Sequence, residues 1–150
     1  MSSENPERVG SAQFSVESSF QSVADLAEEV GDFCGSVVGE AVEQVVELRL
    51  CVAEALNNIV EHAYKGVEGK PIYAKIDVLS DRLEVVLIDE GMPLPGYTVP
   101  ETEVDFDPTD LENLPEGGFG WMLIREQMDK VDYERRDGCN VLTLARHYGS

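Results

Sequence analysis

EALNNIVEH, residues Glu54–His62, places Glu54, Asn58 and His62 four positions apart. An α-helix turns about 100° per residue, so each step of four advances the side chain by only about 40°. A carboxylate, an amide and an imidazole therefore share one helical stripe. Alone, that stripe also reads as a solvated polar face, since helices disfavour Asn only mildly. Two glycine-bearing segments downstream, DEGMP (Asp89–Pro93) and GGFG (Gly117–Gly120), give it a second meaning, a nucleotide site.

Outward from this stretch, the helix is expected over about 40–64, with Val42, Val45, Leu48, Val52, Leu56, Ile59, Val60 and Ala63 on the apolar arc. Glu47, Cys51, Glu54, Asn58 and His62 lie opposite. An earlier amphipathic helix is expected over 19–33, ended by Gly31, Gly35 and Gly39, and a short strand over 12–17. Residues 1–12 are expected to fray. PIYAKIDVL and RLEVVLID alternate as a hairpin through Ser80 and Asp81. Residues 92–117 hold Pro93, Pro95, Pro100, Pro108 and Pro115 with many acids and little periodicity, the signature of a lid or of disorder. A helix over 119–128 and a second hairpin turned at Asp137–Gly138 close the chain. The order predicts an α+β fold: one domain over 13–150, its helices on one face of a mixed, mostly antiparallel sheet.

Composition narrows the function classes. The 150 residues carry 30 acidic and 11 basic side chains, a formal charge of -19. Such a surface repels phosphate backbones and anionic membranes, which disfavours direct nucleic-acid or membrane binding and leaves a basic protein partner as the fitting class. Strong acidity also serves plain solubility. No apolar run of about 18 residues exists to span a bilayer, and MSSENPERVG lacks the apolar core of a signal peptide. Cys34, Cys51 and Cys139 match neither a disulfide framework nor a zinc site, so a reduced, cytoplasmic setting is expected.

The motifs carry specific chemistry. Magnesium keeps several waters and takes oxygen ligands, so one amide oxygen, that of Asn58, can complete a shell of water and substrate phosphate. Glu54, one turn earlier, would lie near those phosphates and could take a proton from an attacking hydroxyl. Asp89 ends an apolar strand, where a carboxylate must be satisfied and could accept from the exocyclic amine of adenine. Gly91 follows, allowing close backbone approach, although an Asp-Glu-Gly turn that merely ends a strand reads the same way. The glycines before the last helix could present free amides to a phosphate. No GK[ST] follows them, so the segment is not a P-loop.

Together, and in this order, the three segments resemble the N, G1 and G2 boxes of the GHKL ATPase superfamily. Within it the chain most resembles the anti-sigma factor serine/threonine kinases of bacterial partner-switching systems. EALNNIVEHAY resembles their E-x-x-x-N-x-x-x-H-A box, DEGMP their D-x-G-x-P box, and GGFGWMLI their G-G-x-G-L-x-L-I box. The resemblance implies a Bergerat fold, a two-layer α/β sandwich with a mobile lid, that binds ATP and magnesium. It implies Glu54 as general base, Asn58 as magnesium ligand, Asp89 and Gly91 at the adenine, and Gly118 and Gly120 at the phosphates. Thr143 would join the adenine network, and His62 would be a structural end to its box. The implied partners are a STAS-domain anti-anti-sigma factor and a sigma factor, with homodimerisation. Trp121 stands where a smaller aliphatic residue is usual and Phe119 where a basic one is common. Between Arg82 and Arg125 there is no Lys or Arg, so Lys65 or a partner's arginine would have to neutralise the triphosphate. The alternative is a non-catalytic module with weak or vestigial ATP binding that sequesters a basic partner segment.

Overall fold

The computed structural model describes residues 7–40, 42–100 and 118–148, with Gly118 and Phe119 described as backbone only. The chain runs through β1 (Arg8–Glu17), α1 (Phe20–Val38) and α2 (Glu43–Asn58), which continues into a π-helical turn (Ile59–Ala63). Then come β2 (Pro71–Leu79), β3 (Arg82–Asp89), a 3-10 turn (Pro95–Tyr97), α3 (Gly118–Gln127), β4 (Lys130–Arg136) and β5 (Cys139–His147). The strands form one sheet in the order β1-β2-β3-β5-β4, and each neighbouring pair is antiparallel. Strands that run the same way are always separated by one running the other way. The expected α+β class therefore holds, with an antiparallel sheet rather than a mixed one.

One sheet face is the core. Ile72, Ala74, Ile76 and Val78 on β2, Leu83, Val85 and Leu87 on β3, and Leu142 and Leu144 on β5 are buried, while their strand neighbours other than Ala145 are not. That period of two places every second residue under the helices. Val23, Leu26, Val30 and Cys34 of α1 and Val45, Leu48, Val52 and Leu56 of α2 complete the same cluster. Ser19 caps α1, its hydroxyl accepting from the Ser22 N–H at 3.0 Å.

Two boundaries differ from expectation. Residues 8–12 do not fray but pair with β2, from Arg8 opposite Leu79 to Ala12 opposite Ile76. Gly10 suits this strand because α1 crosses it closely: a Cβ there would stand 3.0 Å from Val37 Cγ2. Helix α1 passes Gly31 and Gly35 and ends only at Gly39, whose φ is 111°. The small residues make room for α2, since the Arg49 side chain lies across Gly31 and reaches Asp32 at 3.1 Å. The expected lid lies mostly on 101–117, outside the described residues.

The polar side of α2 is not a solvated face either, because α3 packs on it. Cys51 is fully buried there, and its thiol points to the Leu123 carbonyl. Arg146 of β5 bridges Glu47 and Asp129, at 3.2 and 3.1 Å, pinning the same side. Burial pushes the thiols of Cys34 and Cys51 up to about 11 and about 12. A thiol reagent at neutral pH is therefore expected to label only half-buried Cys139 in the native protein and all three cysteines after denaturation, as counted by mass spectrometry. No helix among the described residues is long and apolar enough to cross a membrane.

Candidate active site

Asp89 is the last residue of β3 and faces the core side, only 3% exposed. Its Oδ1 accepts from the Gly91 N–H at 2.9 Å and from Asn140 Nδ2 at 2.8 Å. Asn140 lies directly opposite on β5, so sheet register makes the pair. Burial raises the Asp89 carboxyl above the usual range, against the lowering effect of the Asn140 and Gly91 donors and the Arg135 charge. Asn140 also donates to the Met92 carbonyl at 2.8 Å and accepts from Arg135 Nη1 at 3.0 Å and from the Tyr133 hydroxyl. Arg135 donates in turn to the Gly91 carbonyl at 2.6 Å, and Tyr133 accepts from the Leu94 N–H at 3.0 Å. The backbone from Gly91 to Leu94 is thus tied to β4 and β5 by side chains.

This network walls one end of a cavity of about 410 Å³. Asn58, Ile59 and Ala63 of the long helix, Trp121, Leu142, and Met92, Pro93 and Leu94 also line it. A volume in this range, mostly apolar with a few convergent polar groups, fits a small-molecule site. Asp89 Oδ2 has no hydrogen-bond partner among the described residues and belongs to a residue that lines the cavity.

Beyond Asn58 the site continues to Glu54 and α3. A Cβ on Gly120 would stand 3.0 Å from Glu54 Oε2 and 3.5 Å from Asn58 Nδ2, so the first turn of α3 rests directly against both side chains. The N-terminal turn of a helix favours anions through its free amides. Asn58 Nδ2 is buried without a hydrogen-bond partner among the described residues. Such a group calls for a ligand, and turning the amide end for end would present an oxygen in the same place. Among the described residues no three His, Cys, Asp or Glu side chains cluster to hold a metal. An amide oxygen at Asn58 would suit a cation that takes one protein oxygen and draws the rest from water and phosphate, as magnesium does.

Other expected site residues fall differently. The helical ladder widens after Asn58, with the Tyr64 N–H bonding to the Ile59 carbonyl at 2.9 Å, and His62 ends on the cavity rim with its side chain 55% exposed. His62 thus lines the same cavity as Asn58 but stands open to solvent. Thr143 pairs with Val86 and Asp132, on the opposite face from Asp89, and is not among the residues that line the cavity. A one-residue shift along a strand reverses the face. Gly118 opens α3, and its surroundings lie outside the described residues. Gly91 has a packing role of its own, since a Cβ there would stand 2.6 Å from the Ala63 carbonyl oxygen. That carbonyl accepts from the Met92 N–H at 2.8 Å, joining the end of the π-helical turn to the segment after β3. Gly91→Ala is expected to destabilise the fold by about 1–3 kcal/mol in urea unfolding, because backbone on both sides must shift.

Residues 5–146 match the histidine kinase-like ATPase domain family. The chain belongs to that family. It is 31% identical over 112 residues to the serine-protein kinase RsbW of Bacillus pumilus, covering 71% of this chain and 67% of the relative. It is likewise 31% identical over 110 residues to the serine-protein kinase RsbW of Bacillus subtilis, with the same coverage. The RsbW of Bacillus mycoides is 32% identical over 106 residues, covering 70% of this chain and 66% of the relative.

For a histidine kinase-like ATPase domain, the residues that sequence reasoning missed are Asn140, Tyr133, Arg135 and Tyr64. Tyr64 donates to the Pro71 carbonyl at 2.6 Å and accepts from the Glu90 N–H at 2.7 Å, fastening Glu90 to the start of β2. Asn140 had a signal. In NVLTL it shares the inward parity of Leu142 and Leu144, and an inward Asn needs partners. Lys65, named as a source of positive charge, does line the cavity.

Proposed function

We propose that this chain is an ATP-dependent serine/threonine protein kinase and anti-sigma factor that phosphorylates a STAS-domain antagonist. One observation carries the reading: Asn58, Asp89 and Trp121, one from each of the three motif segments, line one cavity, and Gly120 packs against Asn58 and Glu54 beside it. In this reading Asp89 Oδ2 accepts from the exocyclic amine of adenine, and the triphosphate extends past Asn58 toward the first turn of α3. Glu54 takes the proton from the substrate hydroxyl as that oxygen bonds to the γ-phosphorus and the bond to the β-bridging oxygen breaks, leaving ADP. Asn58 would hold magnesium, which when bound supplies neutralising charge to the phosphates. Lys65 adds positive charge at the cavity wall.

The experiment is incubation with ATP, magnesium and candidate STAS proteins, followed by mapping of phosphate to Ser or Thr. Labelling of one candidate is the expected result. Absence of label on every candidate, with ATP binding intact, would overturn it. The cation-free stretch between Arg82 and Arg125 favours a second reading, a non-catalytic module that captures a basic sigma-factor segment through its acidic surface. Calorimetry separates the two: partner binding that weakens steeply with salt, with no heat from magnesium-ATP, supports the second. Homodimerisation and a cytoplasmic setting belong to the same proposal, and light scattering reads the first.

A further inference from the structure

We infer that Asn140, locked by Tyr133 and Arg135, is the positioning residue that makes Asp89 select a 6-amino purine over a 6-oxo purine. The inference rests on the nucleotide reading of the cavity given above. Its ground is the number and direction of the hydrogen bonds at one amide. Arg135 can only donate, so the amide atom that faces it, at 3.0 Å, must be the oxygen. The Tyr133 hydroxyl donates to the same oxygen. The opposite end of Asn140 must then be the donor, and both atoms that it faces, Asp89 Oδ1 and the Met92 carbonyl, accept at 2.8 Å. Every hydrogen-bonding valence of the side chain is used, and it cannot turn over without placing like against like.

The consequence falls on Asp89. Its Oδ1 receives two donors, Asn140 Nδ2 and the Gly91 N–H, which leaves no room there for a proton. Oδ2 remains to meet the ligand. The two donors on Oδ1 and the Arg135 charge favour the ionised carboxylate, and in that form Oδ2 welcomes an amino group and repels a carbonyl oxygen. The charged and titratable groups around it act in both directions: Arg135 favours the carboxylate, Glu90 opposes it, and Tyr64 lies close enough to feel it. Lys65 and His62 line the same cavity. The tied backbone from Gly91 to Leu94 keeps the wall from receding to suit a different base.

The test compares ATP with ITP, which differ only at N1 and C6 of the base, by calorimetry of the full chain with magnesium. The wild type is expected to bind ATP roughly 10–100-fold more tightly. Asn140→Asp sets a second carboxylate against Asp89, so that the pair shares a proton, and the ratio should fall to within about threefold. Arg135→Met is a half-buried change that spares the core and keeps the inference testable if Asn140→Asp does not fold. It should lower the ratio at least about threefold. It should also move the acid loss of ATP affinity to higher pH, since affinity needs unprotonated Asp89 and Arg135 holds that proton off. A merely structural role would weaken both nucleotides alike and leave the pH profile in place. Folded variants with the wild-type ratio and profile would overturn the inference while the nucleotide reading stands. A wild type that binds neither nucleotide overturns both.

Discussion

Asp89→Asn is expected to weaken ATP binding by about 100-fold or more while leaving the protein at least as stable as the wild type. The two effects share a cause. In the variant the amide oxygen takes the place of Oδ1 and keeps the donors from Gly91 and Asn140. The amide nitrogen then takes the place of Oδ2, where it presents hydrogens to a ligand amine instead of accepting from it. Stability moves the other way because burial raises the Asp89 carboxyl, so the folded wild type binds this proton more tightly than the unfolded chain does. From the ordinary aspartate value, about 3.9, up to the raised folded value, wild-type stability therefore falls as pH rises. The variant lacks that loss from residue 89. Calorimetry with ATP and melting across pH read both effects, and a variant that binds ATP normally would remove Asp89 from the site.

Glu54→Gln is expected to slow phosphoryl transfer by about 10²–10⁴-fold with nucleotide affinity unchanged or improved. The glutamine keeps the volume that rests against Gly120 and removes the only function assigned to the carboxylate, taking a proton. Loss of a negative charge beside the phosphates does not weaken their binding. The informative pattern is a fall in kcat without a rise in KM, read from initial rates of partner labelling and from single turnovers. Transfer at the wild-type rate would show that Glu54 is not the base.

Much of this architecture is legible where the signal is local. Alternation in PIYAKIDVL and RLEVVLID gives the bounds Pro71–Leu79 and Arg82–Asp89, and the helix after the glycines falls within one residue of expectation. Local signals mislead where tertiary contacts outweigh them. A glycine costs a helix about 1 kcal/mol, yet α1 continues through two of them because Arg49 and Glu40 pack where side chains would otherwise stand. In the site, Glu54 and Asn58 are readable from spacing, but whether their stripe meets water or α3 is not a property of the stripe. The locking partners of Asp89 are farther still. Asn140 is 51 residues away and Arg135 bonds to Gly91 across 44, so only the registers of β3 against β5 and of β5 against β4 bring them together. Thr143 shows the limit of matching a hydroxyl by position alone, since the pleat decides which face it serves.

Trp121 is the chain's single tryptophan, and it forms part of the cavity wall. Its fluorescence therefore comes from one place, the place where a ligand would enter. Any occupant exchanges the solvent beside that indole for a base or a side chain, and the emission should change in colour and intensity without contribution from elsewhere. The protein thus carries its own optical gauge of occupancy, which needs no label and works in the presence of a partner that lacks tryptophan.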